Sequence, residues 1–281
     1  MPEVDVPVPE PGGGRRLDAA LADRGIARSR THAARLIADG VVTVDGTAVL
    51  KASVKVLDSQ VLALTASDHY VSRAAHKLLG ALDAFGVDVN GRHALDVGAS
   101  TGGFSQVLLE RGAASVIALD VGHGQLASEV AGDPRVTVIE GFNARDLTAA
   151  SLAEAAGHPV VADLVVADLS FISLPMVLPA IAVTIGLGAD YILLVKPQFE
   201  VGRTGIREGI VHDAGLRADA VTGVMWAAWD LGLPTAGVIS SPIVGNAGNR
   251  EYLVWLSARA GSNPTEWTDR VNVLASPSAQ T

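Results

Sequence analysis

The sequence predicts an α/β fold, a Rossmann-like parallel sheet flanked by helices, with a small α+β module in front of it. Three observations carry this. Between His93 and Ser257 short apolar runs alternate with helical patterns, the order that builds a parallel sheet. Within that region His93-Ala-Leu-Asp-Val-Gly-Ala-Ser-Thr-Gly-Gly-Phe104 passes from an apolar run through a Gly-rich turn to a helical pattern at Phe104, Val107 and Leu108, and so reads as strand, tight loop and helix start. The third observation is a partition of charge. Residues 15–79 carry ten Lys/Arg against six Asp/Glu, whereas residues 80–281 carry 11 against 21.

Length and composition set the bounds. The 281 residues suffice for one large domain and one small one, and an apolar share of 49% excludes a mainly disordered chain. With no cysteine there is no disulfide framework and no thiolate nucleophile, and no metal site is expected. Residues 1–14 are Pro/Gly-rich with three acidic and no basic residues, which is a disordered tail rather than a signal peptide. The most apolar stretch, Met176 to Val195, is interrupted by Pro179, Gly186, Gly188 and Asp190, and reads as helix, turn and strand rather than a membrane span. A cytoplasmic monomer without membrane contact is the expectation. The net charge of -9 does not exclude nucleic acid, because local charge governs attraction to phosphates.

Taken in order, residues 15–66 form the small module. Leu17, Ala20 and Leu21 share one helical face that stops at Gly25, and a second helix capped by Ser29 turns Ala33, Leu36 and Ile37 inward and closes at Gly40. Val41 to Val44 then reads as a strand entering an Asp45-Gly46 turn. Arg16, Arg28, Arg30 and Arg35 fall on outer faces, with Lys51 and Lys55 in the following hairpin. Two short helices followed by small strands, with basic residues along one helix, resemble the RNA-binding domain first described in ribosomal protein S-four. That resemblance implies RNA contacts from Arg16, Arg28, Ser29, Arg30, Arg35, Lys51 and Lys55. Residues 67–72 read as a linker, 73–260 as the large domain and 261–281 as a flexible tail.

The Gly-rich loop is a cofactor cradle, since glycine lets backbone approach a ligand and a helix start presents unpaired N–H groups. A dinucleotide site wants G-x-G-x-x-G, and Gly98-Ala-Ser-Thr-Gly102-Gly103 lacks its second glycine. Asp96 before the first glycine and Phe104 after the last resemble the S-adenosylmethionine loop of Rossmann-like methyltransferases. Asp96, Gly98, Ala99, Ser100, Thr101, Gly102, Gly103 and Phe104 are therefore the cradle candidates. Asp120 closes the next apolar strand 22 residues after Gly98, where an acidic residue holds ribose hydroxyls. Asn143 follows the third strand and is placed on the adenine side.

Strands are expected at 93–97, 114–120, 136–140, 161–167, 190–195, 235–240 and 251–257, and helices near 103–111, 123–131, 172–185 and 213–231. In such a sheet the ligand crevice lies off the carboxyl ends of the strands, which selects Asp120, Asn143, Asp168 and Lys196. The chain has 17 arginines and four lysines, and two of those lysines, Lys77 and Lys196, adjoin the expected crevice. Arginine is always charged, whereas a desolvated lysine can give up its proton. With Asp168 and with Glu251, which opens the last strand, they make a set of two lysines and two carboxylates. Taken singly, Asp168 also suits the cap of the helix that follows it.

The order of the S-four-like module, Val71-Ser-Arg-Ala-Ala-His-Lys-Leu, Leu95-Asp-Val-Gly-Ala-Ser-Thr-Gly-Gly-Phe, Asp168-Leu-Ser-Phe-Ile-Ser, Val195-Lys-Pro-Gln-Phe-Glu, Gly209-Ile-Val-His-Asp and Gly248-Asn-Arg-Glu-Tyr-Leu is similar to the TlyA (hemolysin A) family, related to FtsJ. The resemblance implies a ribosomal RNA 2'-O-methyltransferase using S-adenosylmethionine, with ribosomal subunits as partners and cytidine as the target. It places the family's Lys-Asp-Lys-Glu tetrad on Lys77, Asp168, Lys196 and Glu251. Two other readings stand beside it. A dinucleotide-dependent oxidoreductase is disfavoured by the missing glycine, and a membrane-active hemolysin by the interrupted 176–195 stretch.

Overall fold

The structure, a computed structural model, describes residues 14–38, 40–64, 69–202, 205–245 and 248–276, with Arg35 described in its backbone only. The tail expected over residues 1–14 lies outside the described residues except for Gly14. The chain divides into two compact units at His69/Tyr70.

In the first unit β1 (Arg15–Arg16) leads into α1 (Leu17–Asp23), and α2 (Arg30–Ala38) follows. The strands β2 (Val42–Val44) and β3 (Thr47–Ala48) form a hairpin, β4 (Lys55–Val56) pairs with β1, and β5 (Leu62–Leu64) pairs with β2. The expected Asp45-Gly46 turn is present with both residues at positive φ, 50° and 81°, the conformation that suits a two-residue hairpin. Leu17, Leu21, Ala33, Ile37, Val42 and Val56 close the core of this unit.

The second unit contains α3 (Ala75–Phe85), β6 (His93–Val97), α4 (Gly103–Glu110), β7 (Ser115–Leu119), α5 (Ser128–Ala131), β8 (Val136–Ile139), α6 (Ala149–Ala156), β9 (Leu164–Ala167), α7 (Leu178–Ile185) and β10 (Asp190–Val195). After these come α8 (Pro197–Glu200), α9 (Ala214–Asp230), β11 (Thr235–Ser240), β12 (Tyr252–Leu256) and α10 (Thr268–Ala275). The seven strands lie in the order β11-β12-β10-β9-β6-β7-β8. Strand residues alternate between two cores. Leu95, Val97, Val165, Tyr191 and Leu193 face α7, α9 and α10, and Ala94, Val116, Val166, Ile192 and Leu194 face α3 and α4. A sheet covered on both faces explains why β9 and β10 are apolar without interruption.

The structure corrects the sequence reading in several places. The sheet is not wholly parallel: β12 runs antiparallel to both β10 and β11, as the short β11–β12 connection permits. The helix expected over 123–131 shrinks to α5, because Gly124, at φ 63°, breaks its start. The helix expected over 172–185 divides into a 3-10 turn at Leu174–Met176 and α7, each with proline in its first turn. Helices α6, α8 and α10 were not expected. Of the supposed flexible tail, Pro264–Trp267 forms a 3-10 turn and α10 follows with Val271 and Ala275 buried; residues 277–281 lie outside the described residues.

The buried Arg217 guanidinium fastens α10, donating to the carbonyl of Ala275 at 2.6 and 3.1 Å and to the carbonyls of Val211 and His212 at 3.0 and 2.7 Å. Deleting residues 264–281 leaves this buried cation short of acceptors and uncovers α9. The deletion is expected to lower unfolding free energy by about 3 kcal/mol, measured by urea denaturation. An unchanged midpoint would show that α10 is not part of the cooperative unit.

Candidate active site and RNA-binding face

Strand order reverses between β6 and β9, so the crevice opens where these two strands end. The Gly98 φ of 84° is left-handed, and a Cβ there would stand 2.8 Å from the Asp168 carbonyl oxygen. Only glycine lets the loop leave β6 against β9. The amides of Gly98 and Ala99 donate to the Leu119 carbonyl at 2.8 and 3.2 Å, which pins the loop to β7. Asp120 then accepts the Ser100 amide at 2.8 Å on one carboxylate oxygen and the Gly122 amide at 2.7 Å on the other. Thr101, Gly102 and Gly103 complete the passage into α4.

Asp96 lies beneath this loop, fully buried. One of its oxygens accepts the Ser105 hydroxyl at 2.7 Å, and the other has no partner. The Phe104 ring is buried in the core against α3, so only its backbone can serve the cradle. The Asn143 side chain accepts the Arg145 amide at 3.1 Å and caps the 3-10 turn at Ala144–Asp146. A glycine-rich loop that brings backbone close beside Asp120, over a buried Asp96 carboxylate oxygen without a donor, fits a nucleoside cofactor that carries positive charge.

The four groups of the expected tetrad form two ion pairs, one partly buried and one buried. Lys196 Nζ stands 2.6 Å from Asp168 Oδ1 and donates to Ser170 Oγ at 2.8 Å. Lys77 Nζ donates to Glu251 Oε2 at 2.6 Å, with the two residues only 5% and 4% exposed. Strand direction explains how Glu251 arrives here. The register places Val195 opposite Tyr252, so the amino end of antiparallel β12 meets the carboxyl end of β10, and the residues just beyond that pair are Lys196 and Glu251.

Sequence reasoning missed several residues of this site. Ser170 and Phe171 lie on the loop after β9, and Phe171 is 91% exposed at a φ of 64°, a sparsely populated conformation for a bulky residue. Its ring lies 5.2 Å from that of Phe199, over which Lys196 Nζ stands at 6.0 Å. Glu200, at the end of α8, accepts the Ser173 hydroxyl at 2.6 Å and the Leu174 amide at 2.9 Å. The buried Asn249 accepts the Val211 amide and donates to the Gly209 carbonyl, tying the loop before Glu251 to the loop before α9. The signal available for these residues was their place inside the quoted motifs.

On the first unit Arg16, Arg28, Ser29, Arg30, Lys51 and Lys55 are all exposed. Ser29 Oγ accepts the His32 amide at 3.1 Å and opens α2. Arg16 and Arg30 both donate to Asp18, at 3.0 and 2.9 Å. The hydrogen bond from Arg16, joined by that from Arg30, overcomes burial and holds the Asp18 carboxyl at about 2. The Arg35 side chain lies outside the described residues.

Fold and site together define a Rossmann-like methyltransferase domain that follows an RNA-binding type of module. The family model for FtsJ-like methyltransferase matches residues 70–258, and that for the S4 domain matches residues 15–62. The chain is 52% identical over 244 residues to the 16S/23S rRNA (cytidine-2'-O)-methyltransferase TlyA of Mycobacterium tuberculosis, covering 86% of this chain and 89% of that protein. It is 37% identical to hemolysin A of Brachyspira hyodysenteriae, covering 85% and 98%. A solved structure from Streptococcus thermophilus, named as a hemolysin, superposes with a TM-score of 0.71 at 34% identity, covering 94% and 96%. The chain belongs to the FtsJ-like methyltransferase family, in the TlyA group with an N-terminal S4 domain. The oxidoreductase reading is thereby set aside. No helix among the described residues is long and apolar enough to cross a membrane.

Burial pushes the Asp96 carboxyl up to about 7 against the Ser105 hydrogen bond, with the charges of Asp168 and Asp120 adding to the push. The folded protein then keeps a proton that the unfolded chain releases near pH 4, so the stability contributed by this group falls as pH rises from about 4 to about 7. Asp96→Asn removes that dependence. The stability of the variant relative to the parent, from urea unfolding, is expected to increase between about pH 4 and about pH 7 and to level off above; a constant difference would mean that Asp96 ionises like an ordinary carboxylate.

Proposed function

We propose that this enzyme transfers a methyl group from S-adenosylmethionine to the ribose 2'-hydroxyl of a cytidine in small- and large-subunit ribosomal RNA. The observation that carries the reading is the Lys196–Asp168 pair at the crevice, beside the Gly-rich loop, in a chain 52% identical to an enzyme named for that reaction. When bound, S-adenosylmethionine supplies an electrophilic methyl group on a sulfonium. Asp96 and Asp120, with the loop of residues 98–103, would hold it, and Asn143 would contact the adenine side. With ribosomal RNA as substrate, the enzyme works in the cytoplasm on the ribosomal subunits.

A ribose hydroxyl is a weak nucleophile and must be aligned and relieved of its proton as it attacks. Lys196 directs one N–H to Ser170 and sits against Asp168, which leaves an ammonium donor for the ribose oxygen. As the ammonium it stabilises the developing alkoxide; to act as base it must first be the neutral amine, which takes the proton of the 2'-hydroxyl and becomes the ammonium. Lys77 and Glu251 form a rigid wall that positions the ribose. The exposed Phe171 ring offers a stacking face for an unstacked base. Arg28, Arg30, Arg35, Lys51 and Lys55, with Arg16 and Ser29, take RNA phosphates.

Lys196→Ala is expected to abolish methyl transfer to ribosomal RNA while dissociation constants for RNA and S-adenosylmethionine stay at parental values, because the interaction is made in the transition state. Lys196→Arg sharpens the test. An inactive variant with intact binding supports a base, and a substantially active one limits Lys196 to electrostatic stabilisation. Near-parental turnover of Lys196→Ala would remove the reading at its centre.

The triple variant Arg28→Ala, Lys51→Ala, Lys55→Ala tests the basic face. The slope of log affinity for RNA against log salt is expected to shrink by about 0.7 to 0.9 for each phosphate that is no longer neutralised, with cofactor affinity unchanged. An unaltered slope would make this face a solvated surface and nothing more.

A further inference from the structure

We propose that Glu200 is a positioning residue for methyl transfer: its carboxylate fastens the loop 168–174 to the turn that follows Lys196, and so fixes where Asp168, Ser170 and Phe171 stand around the Lys196 ammonium. The proposal rests on the reading of Lys196 and Asp168 as the catalytic pair.

The segments it joins cannot hold their own shape. Between Ala167 and Leu174 the backbone has no regular structure, and Phe171 sits in the left-handed region at 64°, a conformation that persists only where surrounding contacts impose it. Facing it, α8 is a single turn of four residues with Lys196 as its N-cap, far below the length at which a helix is stable alone. The ladder of β10 ends at Val195, next to Lys196, and the Asp168 amide still donates to the Val97 carbonyl of β6 at 3.1 Å, but among the described residues no backbone hydrogen bond ties residues 169–172 to the sheet. The two segments are instead closed at three levels. Lys196 meets Asp168 and Ser170 at one end, the Phe171 and Phe199 rings meet in the middle, and Glu200 takes Ser173 and Leu174 at the other end.

Glu200 uses both carboxylate oxygens in this closure, one for a side chain and one for a backbone amide. Among the described residues no basic side chain forms an ion pair with it. Burial pushes its carboxyl up, and the two hydrogen bonds oppose that only in part. A half-buried carboxylate without a cation is unfavourable for folding. A residue kept at that cost, with both oxygens directed to the segment carrying Asp168 and Ser170, is better explained by the geometry it imposes on Lys196 than by stability.

The test uses the full chain and compares Glu200→Ala, Glu200→Gln, Ser173→Ala and the Glu200→Ala/Ser173→Ala double variant. Turnover and KM for ribosomal RNA are measured at saturating S-adenosylmethionine, with cofactor dissociation constant and thermal midpoint measured alongside. Glu200→Ala is expected to lose about 10- to 100-fold in kcat, the consequence of a displacement near 1 Å at a reacting centre, with cofactor affinity unchanged. Ser173→Ala should lose less, Glu200→Gln should fall between alanine and parent because its amide oxygen still accepts one donor, and the double variant should be no slower than Glu200→Ala. Parental kcat per folded molecule in Glu200→Ala overturns the proposal and leaves Glu200 as a fold residue. If Glu200→Ala does not fold, parental kcat in both Glu200→Gln and Ser173→Ala overturns it equally. Lys196→Ala is run in parallel. If it is inactive while the Glu200 and Ser173 variants are parental, this proposal alone falls; if it is itself active, the catalytic reading falls and takes this proposal with it.

Discussion

The register between β10 and β12 is the constraint on which the site depends. A parallel sheet delivers chemistry only from the carboxyl ends of its strands, and by that rule a residue preceding a strand faces the opposite edge. Because β12 is inserted antiparallel, with Tyr252 opposite Val195, the residue that precedes it joins the residue that follows β10. Glu251 and Lys196 thus reach one edge from opposite chain directions, and α3, packed against the same sheet, brings Lys77 to Glu251. A shift of β12 by one residue would turn Glu251 to the other face of the sheet. The placing of Lys196 beside Glu251 is therefore inherited from backbone hydrogen bonds, unlike that of the loop carrying Asp168.

Buried ion pairs are poor devices for stability, since removing two charges from water offsets most of their attraction. Two pairs, one partly buried and one buried, sit side by side in sequence logic here, Lys196 with Asp168 and Lys77 with Glu251, and both are lodged at strand or helix ends where the backbone is fixed. On the proposed reading their value is pre-organisation. A cation held by a carboxylate at 2.6 Å does not need to reorient when negative charge develops on a substrate oxygen, and that saving acts on turnover. Asp96 follows a different logic. It is fully buried with one oxygen unpartnered, so its ionised form is unfavourable until a donor or a positive charge arrives above it.

Much of this was legible in the sequence because burial on both faces leaves an unbroken apolar signature, as in Leu164 to Ala167 and Tyr191 to Val195. The direction of β12 was not legible, since Tyr-Leu-Val-Trp-Leu reads the same whichever way the strand runs. Helix α6 escaped because only Leu152 of its eight residues is buried, and α10 because its contacts rest on Val271, Ala275 and the distant Arg217. In the site, Asp120, Asp168 and Lys196 follow from strand ends, and Lys77 and Glu251 join them in one set of two lysines and two carboxylates, but the direct pairing of Lys77 with Glu251 across 174 positions is not readable from residue order. Glu200 and Ser170 lie inside quoted motifs, but their roles are not readable there, because each has its partners 26 or 27 residues away and no periodicity marks them.

The first unit shows why counting charge is a weak guide to an RNA-binding face. Its positive excess is partly spent internally: Arg15 pairs with Asp23, Arg16 and Arg30 share Asp18, and Arg24 donates to the carbonyls of Leu57, Asp58 and Gln60. On the proposed reading these groups differ in kind. Arg28, Lys51 and Lys55, which form no ion pair among the described residues, supply the salt-dependent attraction that comes from displaced counterions. Arg16 and Arg30 share one carboxylate, which offsets one of their two positive charges; its two bonds fix the plane of the Arg16 guanidinium and its single bond anchors Arg30, leaving further N–H groups on each. Donors fixed in this way add little to long-range attraction and much to register, which is the property an enzyme needs when it must bring one particular ribose to Lys196.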